Sequence, residues 1–414
     1  MKRFRVYVVL AVVCMLVLAA GPALTVFGQD AGPQAHCNGL SEADCQILND
    51  SMAAMQGVTS FAVPAWSAEA NLSAGPESMR IAASGQAAAV LPQSLMSLMT
   101  QAQGMDVTNL QPLIGVYEQL NSEMLMQILQ EMGLYLAVDS LEVEAPGQNL
   151  WVSTDIIYKD EGFYVRLESP NGAESWFGDM LEVTPDDQAE FDASIAEALA
   201  DLQSEETQQA LAQLSEFSAL SDKFNDLVNQ YIVTARGADE DLNGQAMAVF
   251  STTFDLKALL SDPTLPALVI ELLHHPALAS MDAETEDLTN VTESQIQFVL
   301  MTANMLVKEF TYTTEQWIGL DDQYLHKLAM TGSLNIDLSL LGADAEVQSV
   351  TGTGNLSIEL DGFGDDVMAD VQVPTEYRPL EETDDFLLGS ASMIEQELTL
   401  GQSFAAGFSD DGDE

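Results

Sequence analysis

The stretch Gln148–Gly178 reads QNLWVSTDIIYKDEGFYVRLESPNGAESWFG, and its reading decides the fold. Leu150, Val152, Ile156 and Tyr158 are apolar at alternate positions, with Thr154 as the one interruption. Lys159-Asp160-Glu161-Gly162 supplies a turn, in which Gly162 is the residue expected to take a positive φ. Phe163, Val165 and Leu167 resume the alternation. Period two on both sides of a Gly-containing turn is a hairpin signal. Ser153, Asp155, Arg166 and Glu168 fall on the opposite side, so the sheet has one apolar and one hydrated face. Function then turns on what covers the apolar face.

The hairpin has an echo. Ile318–Leu328 (IGLDDQYLHKL) repeats the acidic turn, aromatic, basic residue and leucine of Ile157–Leu167 (IYKDEGFYVRL). A third candidate spans Tyr231–Phe254, with its turn near Asp239–Gly244. Any acidic-turn hairpin shares these features, so they mark hairpins and not a solenoid repeat.

Further strands are expected at Thr59–Ala74 and Glu77–Val90, joined at Gly75-Pro76, and at Leu134–Glu144. Ser333–Leu340 alternates cleanly, with Leu334, Ile336, Leu338 and Leu340 on one face. Asn355–Asp361 repeats the pattern. Helical spacing fills Pro92–Gly133, Asp186–Gln230, Asp255–Ala279 and Glu293–Met305. The first block holds Met96, Met99, Met105, Met124, Met126 and Met132, which fits either an adaptable apolar surface or ordinary core filler. Strands return after each helical block, and no Pro/Gly/Ser-rich linker intervenes. The expectation is α+β: one antiparallel sheet spanning about residues 59–373, decorated by helices on one side.

The chain of 414 residues carries 12 Lys+Arg against 65 Asp+Glu, a net charge of −53. That excludes nucleic acid, whose phosphates need clustered cations, and argues against a polybasic contact with anionic lipid. The acidity fits an adaptation to salt, where repulsion is screened, or the solubility of an exported carrier of apolar ligands.

Residues 1–28 read as a signal peptide: Lys2, Arg3 and Arg5, then an apolar run Val6–Ala20, then Val26-Phe27-Gly28 before Gln29. Cys14 lies inside the apolar run and Cys37 well past it, so neither fits a lipobox and the expected product is exported, soluble and without a lipid anchor. Its compartment is extracellular, periplasmic or the cell envelope. Cys37 and Cys45 are expected to form a local disulfide within a capping segment, 29–58, whose helix starts after Ser41. An α+β domain follows at 59–378. Residues 379–414 read as an acidic, largely disordered tail.

No catalytic pattern is present: no G-x-S-x-G, H-E-x-x-H, P-loop or G-x-G-x-x-G occurs. His36, His274, His275 and His326 show no pairing with Cys or Ser, and Asp410–Glu414 lacks the spacing of a calcium loop. No catalytic residue, metal site or cofactor is expected.

The order of these features resembles the LolA-like superfamily of exported bacterial lipid carriers, in particular its LppX/LprA/LprF/LprG branch. The resemblance rests on the acidic turn with GFYVRL (Gly162–Leu167), the close at Trp176-Phe177-Gly178 and the strand pair turning at Asn243-Gly244. It continues through TTFDLKALL (Thr252–Leu260) and TTEQWIGLDDQYLHKLAM (Thr313–Met330). It covers roughly 59–373. It implies a curved, half-barrel antiparallel sheet with helices over the concave face. The chain departs from the branch in lacking a lipobox Cys, in its long helical blocks and in its acidity.

Together these readings give a non-catalytic carrier binding a lipid or other hydrophobic molecule in a cleft between sheet and helices. Val152, Ile156, Phe163 and Val165 are the expected lining from the hairpin. Leu334, Ile336 and Leu338 are the expected lining from the later strand. The carrier is expected to be monomeric and to touch a membrane or an envelope protein transiently. The alternative is a cell-envelope interaction module with a filled core and an acidic surface.

Overall fold

The computed structural model describes residues 37–103, 110–146, 148–168, 174–181, 183–204, 207, 220, 222–275, 291–339 and 347–382. The leader and the end of the acidic tail lie outside them. So do most of the second helical block after Gln203 and the acidic loop before Val291.

Helix α1 (Glu42–Gln56) starts as the sequence predicts: the Ser41 hydroxyl accepts from the Asp44 N–H. Strands β1 (Ser60–Ala74) and β2 (Glu77–Val90) follow, joined at Gly75-Pro76 with Gly75 at φ 61°. Helices α2 (Gln93–Gln103), α3 (Leu110–Gln119) and α4 (Ser122–Glu131) come next. Then come β3 (Gly133–Ala145), β4 (Gln148–Lys159), β5 (Gly162–Glu168) and β6 (Glu174–Met180). Helix α5 (Pro185–Leu202) opens with a capping box between Thr184 and Asp187, and residues 222–229 are helical. Beyond them lie β7 (Ile232–Arg236), β8 (Glu240–Leu242), β9 (Gln245–Phe254), α6 (Leu256–Leu260), α7 (Leu265–Leu273) and α8 (Glu293–Leu306). Strands β10 (Val307–Gly319), β11 (Leu325–Asp337) and β12 (Ser349–Asp361) complete the sheet.

The sheet is a single open antiparallel sheet of 12 strands, in the order β6-β5-β4-β3-β2-β1-β12-β11-β10-β9-β7, with β8 paired to β9. The chain thus lays down one half of the sheet, from β1 out to β6. It then crosses to the far edge at β7 and builds back until β12 meets β1. Bulges in β1, between Val63 and Trp66, and in β3, between Val138 and Leu141, each insert an extra residue and bend the strand.

Two expectations need correction. The hairpin turn puts its positive φ on Asp160 (52°) and Glu161 (62°), while Gly162 already pairs with Lys159 in β5. A two-residue turn that follows the strand twist needs φ > 0 at both central positions. Glycine is needed at 162 for a different reason: a Cβ there would stand 2.4 Å from the Tyr164 hydroxyl oxygen. Second, Ser333 does not begin a new strand, because β11 runs unbroken through Gly332, which pairs with Tyr312 on one side and Gly354 on the other.

Both sheet edges are covered by the chain's outlying segments. At β7 the Thr234 N–H donates to the Asn38 carbonyl (2.8 Å), and the Asn38 amide donates to the Ile232 carbonyl (2.8 Å). The expected Cys37–Cys45 disulfide, with its Cα atoms 5.3 Å apart, holds that segment to α1. At β6, residues after β12 form a strap. The Lys159 ammonium donates to the carbonyls of Met368 (2.7 Å) and Val371 (2.8 Å), Tyr377 packs edge-on to Tyr164, and Arg378 pairs with Phe177 as a parallel bridge. Covered edges cannot template pairing with another chain.

Candidate ligand-binding face

Strand register decides which residues share a side. Across β3, β4 and β5, Leu136 stands opposite Ile156 and Ile156 opposite Val165. Across β2, β1, β12 and β11, Ala83 stands opposite Ala68, then Leu356, then Met330. Followed outward to Thr314 and Thr252, these rows define one continuous side of the sheet.

The helices lie on that side at both ends. Tyr158, in line with Ile156, donates its hydroxyl to the Leu129 carbonyl of α4 (2.7 Å). Burial, then the Glu161 charge, push its pKa up and keep it a donor. At the other end α6, α7 and α8 pack on Phe254, Phe310 and Ile336 through Leu256, Leu259, Leu265, Leu300 and Leu306. Helix α1 places Leu48 on Ala248, Phe250 and Ile318 of the same side.

The opposite side carries rows of ion pairs, with Ile157 and Tyr164 buried among them where Tyr377 packs on Tyr164. Arg80 bonds Glu69 (2.8 Å) and reaches Glu142 and Glu144. Arg166 bonds Asp155 (2.6 Å) and Glu174 (3.3 Å). Burial disfavours the Arg166 charge, but the hydrogen bond and charge of Asp155 outweigh it and raise the pKa. Cations on this side are thus spent on neutralising rows of carboxylates.

Over β1–β4 the apolar side is incompletely covered. Leu72 (β1), Ile81 (β2), Leu134 and Leu136 (β3) and Leu150 (β4) all lie on it and remain 36–46% exposed. Covering the rest of one such side chain is worth on the order of 1 kcal/mol. Helix α8 adds Phe298, Met301 and Met305, 50–54% exposed, at steps of three and four. They form a stripe on the helix face opposite Ile296, Leu300 and Ala303, so α8 is apolar on two sides.

The seven expected lining residues divide. Val152, Ile156, Phe163 and Val165 lie on the helix-bearing side and are half-buried. Leu334 and Ile336 lie on the same side, but within the packed cluster under α6–α8, where Ile336 is 5% exposed. Leu338 lies just past the end of β11 and packs against that cluster. Of the six methionines of the first helical block, Met124 packs with Leu98, Val116 and Ile128, where α2, α3 and α4 meet. Met105 lies outside the described residues, as does the side chain of Met99. The sequence reading missed Leu72, Ile81, Leu134 and Leu136, and the α8 stripe. The signal for the last was present: ESQIQFVLMTANML is apolar on more than one helical face.

No family model matches the chain, and no curated protein matches it. Solved structures that overlap it include two mycobacterial proteins. LprF from Mycobacterium bovis is 14% identical, covers 81% of this chain and 97% of its own length, and superposes with a TM-score of 0.28. The lipoprotein LppX from Mycobacterium tuberculosis is 9% identical, covers 81% of this chain and 100% of its own, with a TM-score of 0.24. Superpositions this loose carry no argument, and the account of the fold rests on strand order and register. Among the described residues, no helix is long and apolar enough to cross a membrane.

Proposed function

We propose that the chain is an exported, non-catalytic carrier that holds a lipid or similar hydrophobic molecule between its sheet and its helices. The observation that carries this reading is the set of half-exposed apolar residues on the side that bears the helices, Leu72, Ile81 and Leu150 toward one end of the strands and Leu134 and Leu136 toward the other. A sheet face meant only as core would be closed by its helices, as it is under α6–α8. Apolar walls with few polar groups suit acyl chains. The LolA-like resemblance of the sequence points the same way. Val152, Ile156, Phe163 and Val165 continue the open surface toward β5. Leu334, Ile336 and Leu338 support the fold of the carrier rather than the contact.

The densely packed end and the acidic surface also suit a second reading, an envelope module that contacts a partner protein. One experiment separates the two. The full chain is purified, extracted with organic solvent and examined by lipid mass spectrometry against a denatured control. A lipid recovered in stoichiometric amount supports the carrier. An empty protein that also ignores a fluorescent alkane probe favours the interaction module.

A further inference from the structure

Four buried polar atoms have no hydrogen-bond partner within the described residues: Trp66 Nε1, Ser94 Oγ, Tyr312 Oη and Thr314 Oγ1. Trp66, Tyr312 and Thr314 all lie on the helix-bearing side of the sheet, Tyr312 at the margin of the cluster under α6–α8, and the opposite side contributes none. Thr314 is 8% exposed. A buried hydroxyl left unpaired costs about 1–3 kcal/mol, so such a pair on one strand calls for a partner.

Beside them the sheet carries no side chain of its own. Tyr312 stands opposite Gly332, and Gly332 opposite Gly354. A Cβ on Gly332 would meet nothing nearer than the Thr311 carbonyl oxygen at 3.4 Å, and one on Gly354 nothing nearer than the Glu69 carbonyl oxygen at 3.7 Å. The chain's own packing therefore does not require glycine at either position, although glycine inside a strand is unfavourable. Paired strand glycines that the surrounding packing does not require mark a place where something else approaches the backbone.

Charge settles what kind of group fits. Lys2, Arg3 and Arg5 account for three of the 12 cations, leaving nine. Arg80, Arg166, Lys308 and Lys327 are paired with carboxylates of the polar side. Lys159 is held by the strap, Lys223 and Lys257 are exposed on helices, and Arg378 is in the strap itself. Arg236 shares the helix-bearing side, but at the β7 edge, where Asp44 and Asp239 neutralise it. An ionised carboxylate or phosphate brought to Tyr312 would meet no cation, within a molecule of charge −53.

We infer that Tyr312 and Thr314, beside the paired glycines Gly332 and Gly354, form a polar subsite for an uncharged hydrogen-bond-accepting group of the ligand, of the ester carbonyl class. The protein then selects neutral acyl esters over free fatty acids. This rests on the carrier reading above.

The test compares three pyrene-labelled probes of equal chain length with the full chain: a fatty acid, its methyl ester and the corresponding alkane. The ester is expected to bind about tenfold more tightly than the alkane, the effect of one buried hydrogen bond. The acid is expected to bind more weakly than the ester at neutral pH. Tyr312→Phe and Thr314→Val together should erase the ester's advantage while alkane affinity stays within about twofold, which also reports that the variant is folded. Equal binding of ester and alkane, an advantage that survives both substitutions, or tightest binding of the acid overturns the subsite and leaves the carrier standing. Failure of all three probes to bind overturns both.

Discussion

The two ends of the sheet treat the same apolar side in opposite ways. Under α6, α7 and α8, around Phe254, Leu265 and Ile336, the side chains are closed off from water. Over β1–β4, leucines and isoleucines of the same kind, on the same side of the same sheet, stand half in water. Alternation along the strands is similar in both regions. What differs is the helical cover. Three helices interlock through Leu256, Leu259, Leu265, Leu300 and Leu306 at the closed end, whereas α2, α3 and α4 direct Leu98, Val116 and Ile128 toward one another. Helices that satisfy their apolar faces among themselves leave the sheet beside them uncovered. One half of the molecule carries stability and the other carries an unfilled surface.

The sharpest way to break this division is to place a charge in each half. Ile336→Asp would bury an unpaired carboxylate, a cost of several kcal/mol that is expected to abolish cooperative unfolding in urea. Ile81→Asp, on the half-exposed surface, should cost less than about 1 kcal/mol and leave the transition cooperative while abolishing uptake of the alkane probe. If the two variants unfold alike, the division is wrong. Truncation gives a milder version. Leu265→Ala, fully buried, should lower the unfolding free energy by about 3 kcal/mol, and Leu72→Ala by about 1 kcal/mol or less. A ratio near one would mean that β1 is as tightly packed as α7.

Much of this fold was legible because strands announce themselves by period and glycine. The ends of β1 and β2, the Gly75-Pro76 turn, the Ser41 cap and the Cys37–Cys45 bridge all follow from local sequence. What could not be read was whether a given apolar stripe is covered. Ile336 and Ile81 look alike in sequence, since each is an apolar residue in a strand, and the difference arises from helices that end 30 or more residues before Ile336 in the chain. Gly162 was misread for the same reason: its neighbour Tyr164 also lies against Gly178, a strand away, and that crowding is invisible locally. Tyr312 and Thr314 likewise became candidates once their unpaired atoms were seen beside Gly332.

The smallest expected effect concerns acid, and it too should fall on the closed half. Asp322, in the turn between β10 and β11, is partly buried, which alone would raise its pKa. The Gln245 amide (2.8 Å), His326 Nε2 (2.9 Å) and the Tyr324 N–H (3.1 Å) outweigh that and hold it below its ordinary value of 3.8. Asp262 behaves in the same way: burial raises it, and hydrogen bonds from Thr264 and Tyr231 bring it down. A carboxylate whose pKa is depressed on folding stabilises the native state fully above its unfolded pKa, and that contribution is lost as pH falls through the folded value. The thermal stability of the wild type should therefore fall below about pH 4. Asp322→Asn keeps the size and much of the hydrogen bonding but cannot titrate, so its melting temperature should start lower at pH 7 and fall less steeply in acid. Phe363, at the root of the strap, packs against His326 and Tyr324, so loosening at Asp322 is transmitted to the strap. Hydrogen exchange at pH 4 should then rise first in residues 363–378 and around β10–β11, and last in β1–β4. The reverse order would mean that the half-exposed surface, and not the packed end, is where acid unfolding begins.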